Sequence, residues 1–233
     1  MIDIKNISAV RQNGAFALDS LSLEIKPRAK VAVLGANGAG KTTLLWAVMG
    51  LIPLAGGKIF LDGIEVEKRN LAKIRRLAGL VFQNSDDQLF LPTVLDDVMF
   101  GIRNFLGGGE DFVRERAEKV LAEFSILHLK DRRPQELSDG EKRKVSLCAV
   151  LACEPEILLL DEPSAPLDPR GRREFAGLLR NLDKTVLLTT HDLSFAEKVC
   201  EKCAVLRDGR LAAFGDTEKI LSDEKLLLDC SLA

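Results

Sequence analysis

Residues Gly35, Ala36, Asn37, Gly38, Ala39, Gly40, Lys41 and Thr42 run in the order G-x-x-x-x-G-K-[ST], the spacing of a phosphate-binding loop. Glycines let successive backbone N–H groups turn inward around phosphate oxygens, and a following helix directs its positive end to the same point. Lys41 has the reach for β- and γ-phosphates, and the Thr42 hydroxyl, next to Thr43, suits Mg²⁺. Downstream, ILLLDEP sets Asp161 and Glu162 at the end of an apolar run, the edge at which open α/β sheets bind ligands. Asp161 can hold Mg²⁺ directly or through water, and Glu162 can orient or deprotonate an attacking water. Alone, an Asp-Glu pair after a strand reads as a solvated turn. With the phosphate loop upstream it reads as the second half of a site that hydrolyses a nucleotide.

A third constellation, Leu137-Ser138-Asp139-Gly140-Glu141, opens an amphipathic helix. Ser138 and Glu141 form a capping box, and Asp139 complements the helix dipole. Gly140 is the exception, because glycine in a first turn costs stability. A close approach to the backbone would explain it, and an exposed helix N-terminus is a ready phosphate site.

The elements that must position these residues follow from the apolar pattern. Val31 to Gly35, Leu80 to Phe82, Ile157 to Leu160 and Thr185 to Thr190 are continuous apolar runs, as in parallel strands buried on both faces. Ile2 to Ser8 and Leu21 to Ile25 alternate as half-exposed strands do, and Lys58 to Leu61 is a short strand between glycine turns. Val94 to Phe105, Asp111 to Ser125 and Asp139 to Ala152 carry helical patterns, with Gly107 to Gly109 a break between the first two. The expected fold class is α/β: a P-loop NTPase core with a parallel sheet, an N-terminal antiparallel β subdomain and an inserted helical subdomain. The core takes residues 1–83 and 157–222, the helical subdomain 84–156 and a short tail 223–233, all one domain of 233 residues.

Composition narrows the function further. With 33 Lys+Arg against 35 Asp+Glu the net charge is −2, which excludes a strongly basic nucleic-acid binder. No apolar run approaches the ~20 residues of a membrane-spanning helix, and MIDIKNIS lacks the pattern of a signal peptide. An intracellular chain that reaches a membrane only through a partner is expected. Cys200 and Cys203 have C-x-x-C spacing, but no second pair lies nearby and Cys203 opens an apolar strand-like run. All five cysteines read as reduced thiols.

Taken together, these motifs resemble the nucleotide-binding ATPase of ABC transporters over nearly the whole chain. GANGAGKT resembles Walker A, Gln83 the Q-loop glutamine, LSDGE the family signature, ILLLDEP Walker B, Ser164 to Asp168 the D-loop, and His191 the switch histidine. The order and spacing match as well: Ser138 to Asp161 is 161 − 138 = 23 positions and Asp161 to His191 is 191 − 161 = 30. The resemblance implies ATP and Mg²⁺, with Thr42, Gln83 and Asp161 at the metal and Lys41, Glu162 and His191 in catalysis. It also implies two subunits facing head to tail, as homodimer or heterodimer, with Ser138, Asp139, Gly140 and Glu141 of one reaching the ATP of the other. The segment VFQNSDDQLFLPTVLDDVMFGIRN is similar to energy-coupling-factor importer ATPases, the cobalt and nickel branch most of all. That narrower likeness implies a transmembrane coupling protein, a substrate-capture membrane protein, a peripheral place on the cytoplasmic face and no nucleic acid. In this segment packing alone would account for several of Leu89, Phe90, Val94, Val98 and Phe100, but not for the polar run Asn84 to Gln88.

Three departures stand out. Asp139 occupies a position usually held by Gly, where a carboxylate would repel a γ-phosphate, and Glu141 replaces the usual Gln. No tyrosine is present to stack on adenine; Arg11 falls near the expected position, with Phe16 an alternative. Pro166 stands where the D-loop more often has Gly, fixing φ there. A soluble ABC ATPase of DNA repair or translation is the competing expectation, but 84–156 is too short for a long coiled-coil insertion and only one cassette is present. A small-molecule kinase would lack LSDGE and the D-loop, and a non-catalytic scaffold leaves Glu162 and His191 unexplained.

Overall fold

The computed structural model describes residues 1–10 and 14–232. Its strands are β1 (Ile2–Val10), β2 (Phe16–Ile25), β3 (Lys30–Leu34), β4 (Gly56–Leu61), β5 (Ile64–Glu65), β6 (Ala78–Val81), β7 (Ile157–Asp161), β8 (Thr185–Thr190), β9 (Lys202–Arg207) and β10 (Arg210–Asp216). Its α-helices are α1 (Lys41–Val48), α2 (Leu71–Leu77), α3 (Val94–Phe105), α4 (Glu110–Glu123), α5 (Asp139–Leu151), α6 (Pro169–Asn181), α7 (Leu193–Val199), α8 (Thr217–Leu221) and α9 (Glu224–Asp229).

Two sheets divide the strands. An antiparallel sheet has the order β2-β1-β4-β5, and a second sheet the order β10-β9-β3-β8-β7-β6. In the second, β9, β3, β8, β7 and β6 are parallel. Every residue of β7 and β8 is buried, which is why these strands read as unbroken apolar runs. Ile2, Ile4, Ile7 and Ala9 of β1 are buried between more exposed neighbours, as the alternation predicts. The edge hairpin β9–β10 turns on Asp208 and Gly209, both at positive φ (50° and 78°). That Asp-Gly pair is a hairpin signal the sequence carried and the apolar pattern did not disclose.

One core lies between the antiparallel sheet, α1 and one face of the parallel sheet; a second covers the opposite face with α6 and α7. Cys200, Cys203 and Cys230 belong to that second core, and burial raises their thiols, Cys203 to about 11. A third core is drawn entirely from residues between Leu89 and Ala152. Within it α4 ends at Glu123, two residues earlier than the pattern suggested, and Ser125 follows in a left-handed conformation (φ 58°).

In the Q-loop segment several of the apolar residues are core, as expected, while the expectation for the polar run changes. Leu89, Val94 and Val98 enter the helical core, but Phe90 and Phe100 stay exposed and meet edge to face, ring centroids 5.6 Å apart. The polar run does have packing roles. Asn84 caps a short 3₁₀ turn, Lys142 holds Asp86 at 2.7 Å, and Gln88 accepts from Phe82 N while donating to Ser146 O.

Asp97 fixes the loop that presents Phe90: its Oδ1 accepts from Phe90 N and Leu91 N, each at 3.1 Å. Burial raises its pKa in spite of those two bonds. A carboxyl that titrates higher folded than unfolded favours the native state at low pH, and this contribution is lost as pH rises through the ordinary and then the folded carboxylate range. Urea unfolding should therefore find Asp97→Asn with a flatter dependence on pH in that window. Asp97→Ala, which strands both N–H groups, should cost about 1–3 kcal/mol.

Candidate functional site

The parallel register puts the chemical residues on one edge. Leu34 pairs with Thr190, Thr189 with Asp161, and Leu160 with Val81. The loop 35–40 therefore leaves β3 beside His191, which follows β8, beside Glu162, which follows β7, and beside Gln83 beyond β6. A cavity of ≈ 420 Å³ opens there, lined by Asn37, Gly38, Gly40, Lys41, Thr42, Thr43, Gln83, Glu162 and His191.

The loop has backbone reasons for its glycines. Gly40 caps α1 in a left-handed conformation (φ 104°), and a Cβ there would meet Ala17 O at 2.5 Å. A Cβ on Gly35 would meet Leu206 O at 2.7 Å. Ala39 is buried and Ala36 partly so, while Asn37 and Gly38 face outward. No described side chain caps α1, first-turn N–H groups have no acceptor inside their own helix, and Lys41, Thr42 and Thr43 of that turn line the cavity.

Lys41 is buried. Its Nζ lies 2.7 Å from Gly35 O, 3.3 Å from Ala36 O and 3.2 Å from Glu162 Oε1. The other Glu162 oxygen, Oε2, lies 2.9 Å from His191 Nδ1 and accepts from His191 N at 3.3 Å. A carboxylate acceptor selects the tautomer with the proton on Nδ1. Glu162 itself sits at φ 42°, a strained position for a non-glycine residue and one found at functional sites. Its N–H bonds both the carbonyl and the hydroxyl of Thr189, each at 3.1 Å. That hydroxyl donates to Asp161 Oδ1 at 2.6 Å. A carboxylate held this way, with a cation on one oxygen and an imidazole on the other, can align and deprotonate water.

Thr42, Gln83 and Asp161 line one adjoining cavity of ≈ 630 Å³, which shares Thr42 and Gln83 with the first. Hydroxyl, amide and carboxylate oxygens are the hard donors that suit Mg²⁺. Trp46, the single tryptophan of the chain, lines the same cavity.

The signature residues stand apart from both cavities. Ser138 and Asp139 are exposed at the start of α5. Ser138 Oγ donates to Glu141 Oε2 at 2.7 Å, and Ser138 N donates to the same oxygen at 2.9 Å. Those bonds hold the Glu141 carboxyl below its usual range. A Cβ on Gly140 would meet only Leu167 Cδ2, at an unstrained 3.8 Å, so crowding by described residues does not account for this glycine. Asp168 accepts from Gly171 N at 2.7 Å and caps α6. Arg11 lies outside the described residues; Phe16 is exposed at the start of β2, next to Ala17, whose carbonyl faces Gly40.

Sequence reasoning overlooked Thr189 and Arg143. Thr189 shows in sequence only as part of TVLLTT. Arg143 looks like one more charge in EKRK, yet it is fully buried.

Strand, glycine loop, helix and an acidic neighbouring strand end define a P-loop nucleoside-triphosphatase. The family model described as ABC transporter matches residues 18–165. The chain belongs to the ABC transporter ATPase family. It is 41% identical over 229 residues to the energy-coupling factor transporter ATP-binding protein EcfA of Carboxydothermus hydrogenoformans, covering 97% of this chain and 84% of that one. CbiO1 of Clostridium perfringens, part of the ABC transporter complex cbiONQ, is 32% identical with a TM-score of 0.86, over 99% of this chain and 94% of that one. A bacterial ABC transporter cassette solved as a dimer is 30% identical with a TM-score of 0.84, over 93% and 99%.

Thr189→Val removes the hydroxyl that orients Asp161 while leaving the Thr189 carbonyl on Glu162 N. It should lower ATP turnover by roughly tenfold or more, the equivalent of one charge-assisted hydrogen bond. Steady-state kinetics as a function of Mg²⁺ concentration measure this; unchanged turnover would separate the hydroxyl from the site.

Proposed function

We propose that this chain is the ATP-hydrolysing subunit of an energy-coupling-factor type importer, peripheral to the cytoplasmic face of a membrane, with cobalt, nickel or a vitamin as cargo. Two copies, or this chain and a related ATPase, sandwich two ATP molecules, and hydrolysis drives a transmembrane coupling protein that works with a substrate-capture protein. The observation that carries this reading is the separation of phosphate loop and signature. Ser138 to Glu141 line neither cavity at the phosphate loop, yet form an exposed, capped helix start with an uncrowded glycine. A second subunit's nucleotide supplies the missing neighbour.

In this reading ATP lays its phosphates on residues 35–43. An incoming phosphate competes with Gly35 O, Ala36 O and Glu162 Oε1 for Lys41, so binding frees that carboxylate oxygen for water while His191 keeps the other. Thr42, Gln83 and Asp161 hold Mg²⁺, whose charge offsets that of the phosphates. Glu162 aligns the water in line with the γ-phosphate and takes its proton. Ser138 and the backbone at Gly140 meet the partner's γ-phosphate, and Asp139 beside them opposes closure by its charge. The transmembrane partner fits the apolar groove of ≈ 340 Å³ lined by Leu51, Phe82, Phe90, Phe100, Phe105 and Cys153 among others. Gln83 lines the cavity at the phosphate loop, and Phe82, next to it in the chain, lines the groove.

Glu162→Gln should cut turnover by roughly 10²–10⁴-fold and trap an ATP-bound dimer on size exclusion; hydrolysis at full rate refutes the base role. Lys41→Ala and Ser138→Arg should each be inactive alone and recover part of the turnover when mixed, because one mixed site keeps both intact halves. No recovery would overturn the head-to-tail sandwich. Asp139→Gly should tighten ATP-dependent dimerisation, read from its ATP midpoint. Co-purification with membrane proteins under gentle extraction tests the importer class.

A further inference from the structure

Arg143 lies five residues beyond Ser138 on α5 and is 0% exposed. Nη1 donates to Phe82 O at 2.6 Å; Nη2 donates to Gln83 O at 2.7 Å and Glu162 O at 3.2 Å. Among the described residues no carboxylate forms a salt bridge with it, and its Nε has no acceptor. Burial lowers its pKa to about 10, opposed by the nearby charge of Asp161. A buried cation without an ion-pair partner is costly, and a neutral side chain would fill the same volume at less cost. What the guanidinium supplies is geometry: Nη2 spans the ends of β6 and β7 while Nη1, fixed in the same plane, holds Phe82 O, a three-carbonyl grip from a rigid fork that a flexible ammonium does not preset. Those carbonyls belong to Gln83 and its neighbour and to Glu162; Gln83 and Glu162 both line the cavity at the phosphate loop.

We infer that Arg143 is a positioning residue that ties the signature helix to Gln83 and Glu162 through their backbones. A displacement of α5 is thereby passed to the hydrolytic carboxylate and the Q-loop glutamine of the same subunit. One side chain links the surface that meets a partner to the site that cleaves ATP. This rests on the hydrolytic reading of Glu162 for its effect on rate, but not for its effect on structure.

The test uses the full chain with Arg143→Gln and Arg143→Lys; the lysine keeps the charge and loses the fork. Hydrogen exchange without nucleotide should show protection falling about tenfold or more at residues 82–88 and 161–167, and little elsewhere. Nucleotide affinity, followed by Trp46 fluorescence, should stay within about twofold, while kcat falls about tenfold or more in Arg143→Gln at near-constant KM. Arg143→Lys should fall between Arg143→Gln and wild type in both readouts. Exchange that rises uniformly, or not at all, overturns the tether, as does a folded Arg143→Gln with wild-type kcat. If Arg143→Gln does not fold, Arg143→Lys decides by the same exchange pattern. A wild-type chain that hydrolyses no ATP would overturn the proposed function and leave the exchange result to judge Arg143.

Discussion

Parallel pairing of β3, β8, β7 and β6 is the constraint from which the site follows. A one-residue slip in any of these ladders would turn a strand's side chains to the opposite faces. β7 and β8 are buried along their whole length and β3 from Val31 onward, so packing holds their register, while β6 is buried at Ala78 and Val81. Their C-terminal ends then have no freedom in where they stop. Loop 35–40, Glu162, His191 and Gln83 converge because each is the next residue, or nearly so, after a strand that cannot shift.

On that edge the charges are arranged as a relay of shared partners. Lys41 bridges its own loop and Glu162; Glu162 bridges Lys41 and His191; Thr189 bridges Asp161 and the Glu162 amide. Burial of Lys41, Asp161, Glu162 and Thr189 strengthens the contacts among them and makes the loss of a partner costly, whereas His191 meets Glu162 from the exposed side. Lys41 is the cation on Glu162 Oε1, so the two side chains are coupled through that contact. The strained backbone at Glu162 persists because amide, carbonyl and carboxylate are each held by different elements.

The outward face has the opposite character. Ser138 and Asp139 are exposed, Gly140 is uncrowded, and Phe90 and Phe100 meet each other at the surface. Ser138 spends its donors on Glu141 within the helix cap, so what this face leaves open is an exposed helix start and apolar area. α5 joins the two faces, carrying Ser138 at its start and Arg143 one and a half turns later.

Much of this was legible in the residues. Continuous apolar runs marked the buried parallel strands, alternation marked β1, and the spacing of GANGAGKT, LSDGE, ILLLDEP and His191 identified the family, because each pattern reflects a local physical demand. The capping box at Ser138 and Glu141 was likewise readable, since it joins neighbours in the chain. Long-range facts were not. That Arg143 is buried rather than solvated, that Phe90 and Phe100 are surface rather than core, and that Gln88 clamps Phe82 to α5 all depend on elements more than fifty residues apart or on which helix face meets the core. Composition and periodicity carry no record of such distances. The sequence alone decided which residues could do chemistry; the fold decided which of them share an edge, because only the closed ladder brings those strand ends together.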